Sequence, residues 1–128
     1  MWVMTPEGFF STTCTKEDPN IIQVRARKRE HLEYLLDRVD IDPDYPGAEL
    51  VIHAMPHRDY EYRVFIQKEE FGRWMKKIGE TIDYDNFKNE AMRFAREKNE
   101  SSEYQNLLHD IWHMGFQALG KNRKEYFG

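Results

Sequence analysis

The chain has 128 residues, of which 40% are apolar, 33% charged and 14% aromatic, a composition typical of one folded globular domain. Its 19 lysines and arginines against 23 aspartates and glutamates give a net charge of −4. This charge argues against tight, sequence-blind binding to duplex DNA, because that affinity depends on an excess of cations. The single cysteine, Cys14, excludes an internal disulfide and favours a reducing compartment.

Neither a signal peptide nor a membrane span is predicted. Pro6 and Glu7 interrupt the first apolar residues, and no basic segment precedes them. No run approaches the ~18 uninterrupted apolar residues of a spanning helix. We therefore expect a cytoplasmic protein that does not enter a membrane.

The first part of the chain has the pattern of strands with one helix among them. Residues 8–14 are rich in aromatic and β-favouring side chains and are followed by turn-forming residues 17–20, which predicts a hairpin. Apolar and polar side chains alternate over residues 20–28, as in a half-buried strand. Helical spacing of leucines predicts an amphipathic helix over residues 28–39, and the two prolines of residues 42–47 end it.

A second hairpin and three helices follow. Strands are predicted at residues 49–55 and 60–67, joined by a turn. Helical spacing resumes at residues 71–78, with a glycine at the expected end. Asp83 is expected to cap the next helix, and Ser102 with Gln105 fits a capping box for the last one.

This order of elements predicts an α+β fold, with an antiparallel sheet of four to five strands covered on one face by three to four helices. Neither an internal repeat nor a linker interrupts the pattern. We therefore predict a single domain over residues 1–120, with residues 121–128 as a flexible tail.

Two arginines on a predicted strand are the leading candidates for a ligand site. Arg25 and Arg27 are two residues apart, so both should project from one face about 7 Å apart. Arg63 on a neighbouring strand would bring a third cation to them, and such a cluster suits a phosphate or carboxylate. The structural alternative is that each arginine pairs with a nearby carboxylate such as Glu61 or Asp59.

The segment 83–88 places an acid, a phenol, an amide and an ammonium within about one and a half helical turns. In a functional interpretation, Asn86 or Lys88 faces the arginine cluster and contacts a bound anion. In the structural interpretation, which capping favours, Asp83 caps the helix and Asp85 complements its dipole.

His109 and His113 are four residues apart on a predicted helix, the spacing at which two imidazoles share a metal ion. The string is similar to the zinc-protease pattern His-Glu-x-x-His, but an aspartate stands where that pattern has its glutamate base. The pattern does not declare a third ligand, for which His53 and His57 are conceivable. The alternative is two histidines that flank a packed Trp112.

Four strings taken together resemble a group of small bacterial and phage proteins that has no established activity, cofactor or partner. They are residues 1–11, 24–27, 59–63 and 83–88, and the match extends to about residue 115. The resemblance implies an intracellular accessory protein. It also draws attention to the positions already selected above.

These features lead us to expect a small, non-catalytic cytoplasmic protein that binds a ligand or an as yet unknown protein partner, with self-association left open. The alternative is a phosphate- or nucleotide-binding protein, or a small phosphate-directed enzyme that uses the arginine cluster with Asp59 or Asp83 as base. Catalytic residues, cofactors and a metal are not assigned. The expected ligand-binding residues are Arg25, Arg27, Tyr60, Arg63, Asp83, Asn86 and Lys88.

Overall fold

A computed structural model of the protein describes residues 1–40 and 49–121. The proline segment at residues 42–47 and residues 122–128 of the predicted tail lie outside the described residues. The chain forms two compact units, residues 1–83 and residues 84–128. The single-domain organisation stays a prediction.

The first unit is built on a five-stranded antiparallel sheet with the strand order β1-β2-β3-β5-β4. The strands are β1 (Trp2–Thr5), β2 (Gly8–Cys14), β3 (Ile21–Ala26), β4 (Glu49–Ala54) and β5 (Tyr62–Gln67). Two helices, α1 (Arg29–Arg38) and α2 (Lys68–Glu80), belong to this unit. The order of strands and helices agrees with the sequence, and the α+β fold is confirmed.

The hydrophobic core lies between the sheet and these two helices. Alternate residues of the central strands, such as Val24 and Val64, are completely buried and face it. The helical spacing of Leu32 and Leu35 turns both side chains of α1 into the same core, and Trp74 of α2 joins them. One face of the sheet is therefore covered by α1 and α2.

Close contact between β2 and α1 depends on a glycine and a buried histidine. A Cβ atom added at Gly8 would lie 2.7 Å from the Cβ and Cγ atoms of His31, so no larger residue fits without a shift. The backbone N–H of Phe9 donates to Nδ1 of His31 over 3.2 Å. Burial, and then the positive charge of Lys28, lower the pKa of His31 from 6.5 to about 4. The imidazole is thus a neutral acceptor at neutral pH.

The second unit contains helices α3 (Phe87–Glu97) and α4 (Glu103–Gly115), and a π-helical segment, Phe116–Lys121, continues from α4. Ala91 and Ala95 of α3 are buried, as are Tyr104 and Leu108 of α4. Among the described residues, no helix has both the length and the apolar character needed to span a membrane.

Two predicted helix caps are wrong. The α3 helix starts after Asn86, whose side-chain oxygen accepts from the backbone N–H of Asn89 over 3.0 Å, and Asp83 is exposed three residues earlier. Asn is as good a cap as Asp, and the later start leaves Asp83 outside the first turn. Ser102 makes no side-chain capping bond with a described residue, and Gln105 donates instead to the carbonyl oxygen of Ala91.

Candidate functional site

One row of side chains crosses all five strands on the face of the sheet opposite the core. Val24 and Val64 oppose each other and point into the core, so the next pair along, Arg25 and Arg63, points to the other face. The register extends this row to both edges of the sheet. In strand order it consists of Trp2, Ser11, Arg25, Arg63 and His53.

Arg25 and Arg63 are direct partners at the centre of this row, and both are partly buried. Arg25 donates from Nη2 to the hydroxyl of Ser11 over 2.8 Å. Arg63 donates from Nη1 to the side-chain oxygen of Gln23 over 2.6 Å and from Nη2 to the carbonyl oxygen of Tyr60 over 3.4 Å. Neutral oxygens therefore hold both guanidinium groups. Among the described residues, neither group has a carboxylate at ion-pair distance.

The partial burial of the Arg25 and Arg63 guanidinium groups lowers the stability of the fold. The Nε atoms of Arg25 and Arg63 are buried, and neither has a hydrogen-bond partner among the described residues. Burial, followed by the positive charges of Arg25 and Arg58, lowers the pKa of the Arg63 guanidinium below its ordinary value. Unpartnered buried donors cost about 1–3 kcal/mol each, so this arrangement is not one that optimises stability.

Tyr60 packs between the arginines and the aromatic side chains of the sheet. Its ring is buried, with the Cζ atom of Arg25 at 4.9 Å and that of Arg27 at 4.2 Å from the ring centroid. The Phe9 ring lies 6.5 Å from it, centroid to centroid. Tyr60 thus fixes the position of two guanidinium groups through cation–π contacts.

Arg27 packs on the same Tyr60 ring as Arg25, although the strand ends at Ala26 and Arg27 lies one residue beyond it. Its Nη2 atom also forms an ion pair of 3.2 Å with Asp59, in which about half of the Arg27 side chain and most of the Asp59 side chain are exposed. The structural alternative considered from the sequence therefore describes Arg27, but not Arg25 or Arg63.

A hollow of about 450 Å³ lies over the middle of the row. The loop that joins β4 to β5 contributes to it through a turn in which the N–H of Arg58 donates to the carbonyl oxygen of Met55 over 3.3 Å. Pro56 takes the second position of this turn, and His57, at φ 74°, takes the third. The side chains around this space, which we call the arginine hollow, are Trp2, Ser11, Arg25, Arg58, Asp59, Tyr60 and Arg63.

Three residues that line the hollow, namely Trp2, Ser11 and Arg58, were given no role in a ligand site on the basis of the sequence. The signal for Ser11 lies in the register of the first two hairpins, which places it opposite both Trp2 and Arg25. Arg58 belongs to a segment recognisable as a turn, but its direction depends on the conformation of that turn. Sequence periodicity assigns a side chain to a face of a strand and does not give the register between strands.

The remaining expected ligand residues have local roles. Asn86 caps α3, and the Nζ atom of Lys88 lies 4.4 Å from the centroid of the Trp112 ring within the second unit. Asp83 is exposed at the end of the first unit. The structure thus brings Arg25, Tyr60 and Arg63 together around one hollow, and it gives Asn86 and Lys88 partners of their own.

The two helical histidines flank a tryptophan. His109 stacks on Trp112 with ring centroids 5.9 Å apart, and His113 lies 6.5 Å from the same ring. Within the described part of the chain, no group of three or more histidine, cysteine, aspartate or glutamate side chains is placed to hold a metal. The two imidazoles flank Trp112, as the structural alternative expected, but this ring is exposed and not packed in a core.

Apolar side chains at the end of the second unit are exposed. Trp112, Met114, Phe116 and Leu119 of α4 and the π-helical segment all have at least 45% of their surface in contact with solvent. Trp112 and Phe116 stack on each other at 5.9 Å. The protein partner and the self-association expected from the sequence stay predictions.

Comparison with protein-family models, with curated proteins and with solved structures finds no match for this chain. The resemblance to small bacterial and phage proteins is therefore untested. The arrangement of charged and aromatic side chains around the arginine hollow is therefore the basis for a proposed function.

Proposed function

We propose that the protein is a small binding protein whose ligand carries a phosphate group, held in the arginine hollow by Arg25, Arg58 and Arg63. The observation that carries the proposal is the direct opposition of Arg25 and Arg63 with neutral oxygens as their described partners. Like charges on opposed residues destabilise a sheet. An anion between them converts this repulsion into two charge-assisted contacts.

The charges around the hollow favour a phosphate over a carboxylate. Three guanidinium groups line it, and Asp59 is the only acidic side chain among its described lining residues. Asp59 is already paired with Arg27, which stands beside the hollow. A phosphate monoester carries a charge of about −1.5 to −2 and three acceptor oxygens, so it matches this excess of positive charge and of donors better than a carboxylate does.

Binding is a better interpretation of the site than a reaction. The sequence offered Asp59 or Asp83 as a base for a phosphate-directed enzyme. Asp83 is not among the described residues that line the hollow, and Asp59, which does line it, already accepts from Arg27 through one of its two oxygens. A general base has to reach the proton that it removes. The enzyme alternative thus has less support than binding.

We place the protein in the cytoplasm as part of the same proposal. Cys14 is exposed and carries a free thiol. A thiol in this state suits a reducing compartment better than an oxidising one.

Thermal unfolding and calorimetric titration with inorganic phosphate test the proposal, with chloride at equal ionic strength as the reference. Phosphate at about 100 times its Kd should stabilise the protein by about 2.7 kcal/mol. Arg58→Ala is the main variant, because Arg58 is exposed on a loop and its removal should leave the fold intact while it weakens binding. Arg25→Ala should abolish binding.

The matched control is Arg29→Ala, which removes an equal charge from an exposed helical ion pair with Glu33. It should bind phosphate as the unmodified protein does. The proposal fails if phosphate gives no stabilisation beyond chloride. It also fails if the folded Arg58→Ala and Arg25→Ala proteins bind phosphate with unchanged affinity.

A further inference from the structure

We propose that the phosphate ligand of the arginine hollow is a mononucleotide, whose base stacks on Trp2 while its phosphate lies among Arg25, Arg58 and Arg63. This inference rests on the proposed function and names the class of ligand. It is carried by the position, the exposure and the support of the Trp2 ring.

Trp2 occupies the row that contains the two arginines. It is the register partner of Ser11, which is itself the partner of Arg25. Neighbouring strands are about 4.8 Å apart, so the backbones at Trp2 and Arg25 are separated by about 10 Å across the sheet. Both side chains line one hollow. An aromatic ring and a phosphate site thus lie side by side in the hollow. A nucleotide has the matching arrangement, because its sugar joins the base to the 5′-phosphate.

The Trp2 ring is exposed although it is held in place. Its contact with Phe9 is edge-to-face, at 5.5 Å between centroids and 74° between planes, and 67% of the residue remains accessible. Phe9 is buried beneath it. A supported indole with a free surface is suited to stacking, which is worth about 5- to 100-fold in affinity per base and accepts every base.

The remaining features of the hollow suit a sugar between base and phosphate. Its volume of about 450 Å³ exceeds what a phosphate alone fills and falls in the range of small-molecule sites. Asp59 stands at its rim with one oxygen on Arg27. The second carboxylate oxygen is an acceptor and suits the hydroxyl groups of a ribose.

A mononucleotide fits better than a nucleic acid strand. Strand-binding surfaces combine a long basic groove with several stacking rings. The net charge of this chain is −4, which does not favour a long basic groove. Two aromatic rings are among the described residues that line the hollow, and of these Trp2 is exposed for stacking while Tyr60 is buried. Base preference is not expected to be strong, because stacking does not read the edges of a base.

The test compares inorganic phosphate, ribose 5-phosphate, AMP and CMP by calorimetric titration of the full chain. AMP and CMP should bind about 5- to 100-fold more tightly than ribose 5-phosphate. Trp2→Ala should remove this advantage, so that AMP, CMP and ribose 5-phosphate bind the variant with similar affinities. Val51→Ala, which truncates another exposed apolar side chain of the same sheet, is the matched control and should keep the advantage of the nucleotides. Trp2→Phe should retain part of the advantage.

The outcomes separate this inference from the proposed function. If inorganic phosphate does not bind, the proposed function fails and this inference with it. If phosphate binds but the nucleotides gain nothing over ribose 5-phosphate, or keep their gain in Trp2→Ala, the nucleotide assignment alone is wrong. Much tighter binding of a single-stranded oligonucleotide than of AMP or CMP would likewise overturn the mononucleotide assignment.

Discussion

Arg25 and Arg63 stand directly opposite each other on β3 and β5, although opposed residues of a stable sheet seldom carry like charges. Their partners among the described residues are a hydroxyl, an amide oxygen and a backbone carbonyl. A pair that optimised stability would place a carboxylate at one of the two positions. The conflict is typical of a binding site, where stability is lower before the ligand arrives.

Arg25→Gln should therefore stabilise the protein in phosphate-free buffer by about 0.2–1 kcal/mol, because it removes the repulsion from Arg63. Urea unfolding measures the change. Arg29→Gln, which breaks the exposed ion pair with Glu33, is the control and should destabilise by at most about 0.5 kcal/mol. Excess phosphate should reverse the effect of Arg25→Gln. A large loss of stability without phosphate would show that Arg25 has a structural role.

His31 should make the protein less stable as the pH falls from 6.5 to about 4. The pKa of His31 is about 4 in the folded protein because of burial, whereas in the unfolded chain it is about 6.5. Between these values the unfolded state binds the proton and the folded state does not, so acid favours unfolding. The loss reaches about 3 kcal/mol at the lower end of this window.

His31→Asn provides the comparison, because its amide oxygen keeps an acceptor for the N–H of Phe9 while the side chain no longer titrates. Its free energy of unfolding should change less over the same pH window. The pKa of His31 is measured directly by NMR titration. A folded-state value near 6.5 would contradict the prediction.

Gly8→Ala should destabilise the protein by about 1–3 kcal/mol, because the new methyl group meets two carbon atoms of His31 at 2.7 Å. Gly72→Ala is the matched control on the exposed side of α2, where no described atom lies within 4 Å of the added group. That change should stabilise by about 0.5–1 kcal/mol, since alanine favours the helix. Equal effects of both substitutions on thermal unfolding would show that Gly8 is not confined by His31.

Asn86→Ala should reduce the stability of the second unit by about 1 kcal/mol, because it removes the cap of α3. Asp83→Ala and Ser102→Ala should each change stability by less than about 0.5 kcal/mol, since neither side chain caps a helix. Chemical unfolding followed by helical circular dichroism measures all three. A larger loss of stability in Asp83→Ala than in Asn86→Ala would show that Asp83 caps α3, as the sequence predicted.

The sequence predicted where helices and strands lie more accurately than where the helices are capped. Alternation over β3 and helical spacing over α1 are patterns of many side chains, and a single exception does not hide them. A cap depends on one hydrogen bond. The segment 83–86 contains three residues, Asp83, Asp85 and Asn86, that are all able to supply it, and the choice depends on which backbone groups the fold leaves free.

The candidate site shows the same division. Arg25 and Arg63 were both selected from the sequence, because the alternation of each strand gives the face on which a side chain lies. Arg27 was assigned to the same cluster, and its guanidinium group shares the Tyr60 ring with that of Arg25, but it pairs with Asp59 and does not line the hollow. Trp2 and Arg58 were missed, since no local pattern connects them to a strand distant in the sequence.

The amino-acid sequence alone determined the α+β class, the order of the elements and the face of each central strand, because periodic burial is a local property of the chain. Only the tertiary structure decided that Trp2, Ser11, Arg25 and Arg63 share one row and line one hollow. That row depends on the register of β1, β2, β3 and β5. A shift of one residue in any of them would turn its side chain into the core, so the register is set by the packing of the whole sheet against α1 and α2.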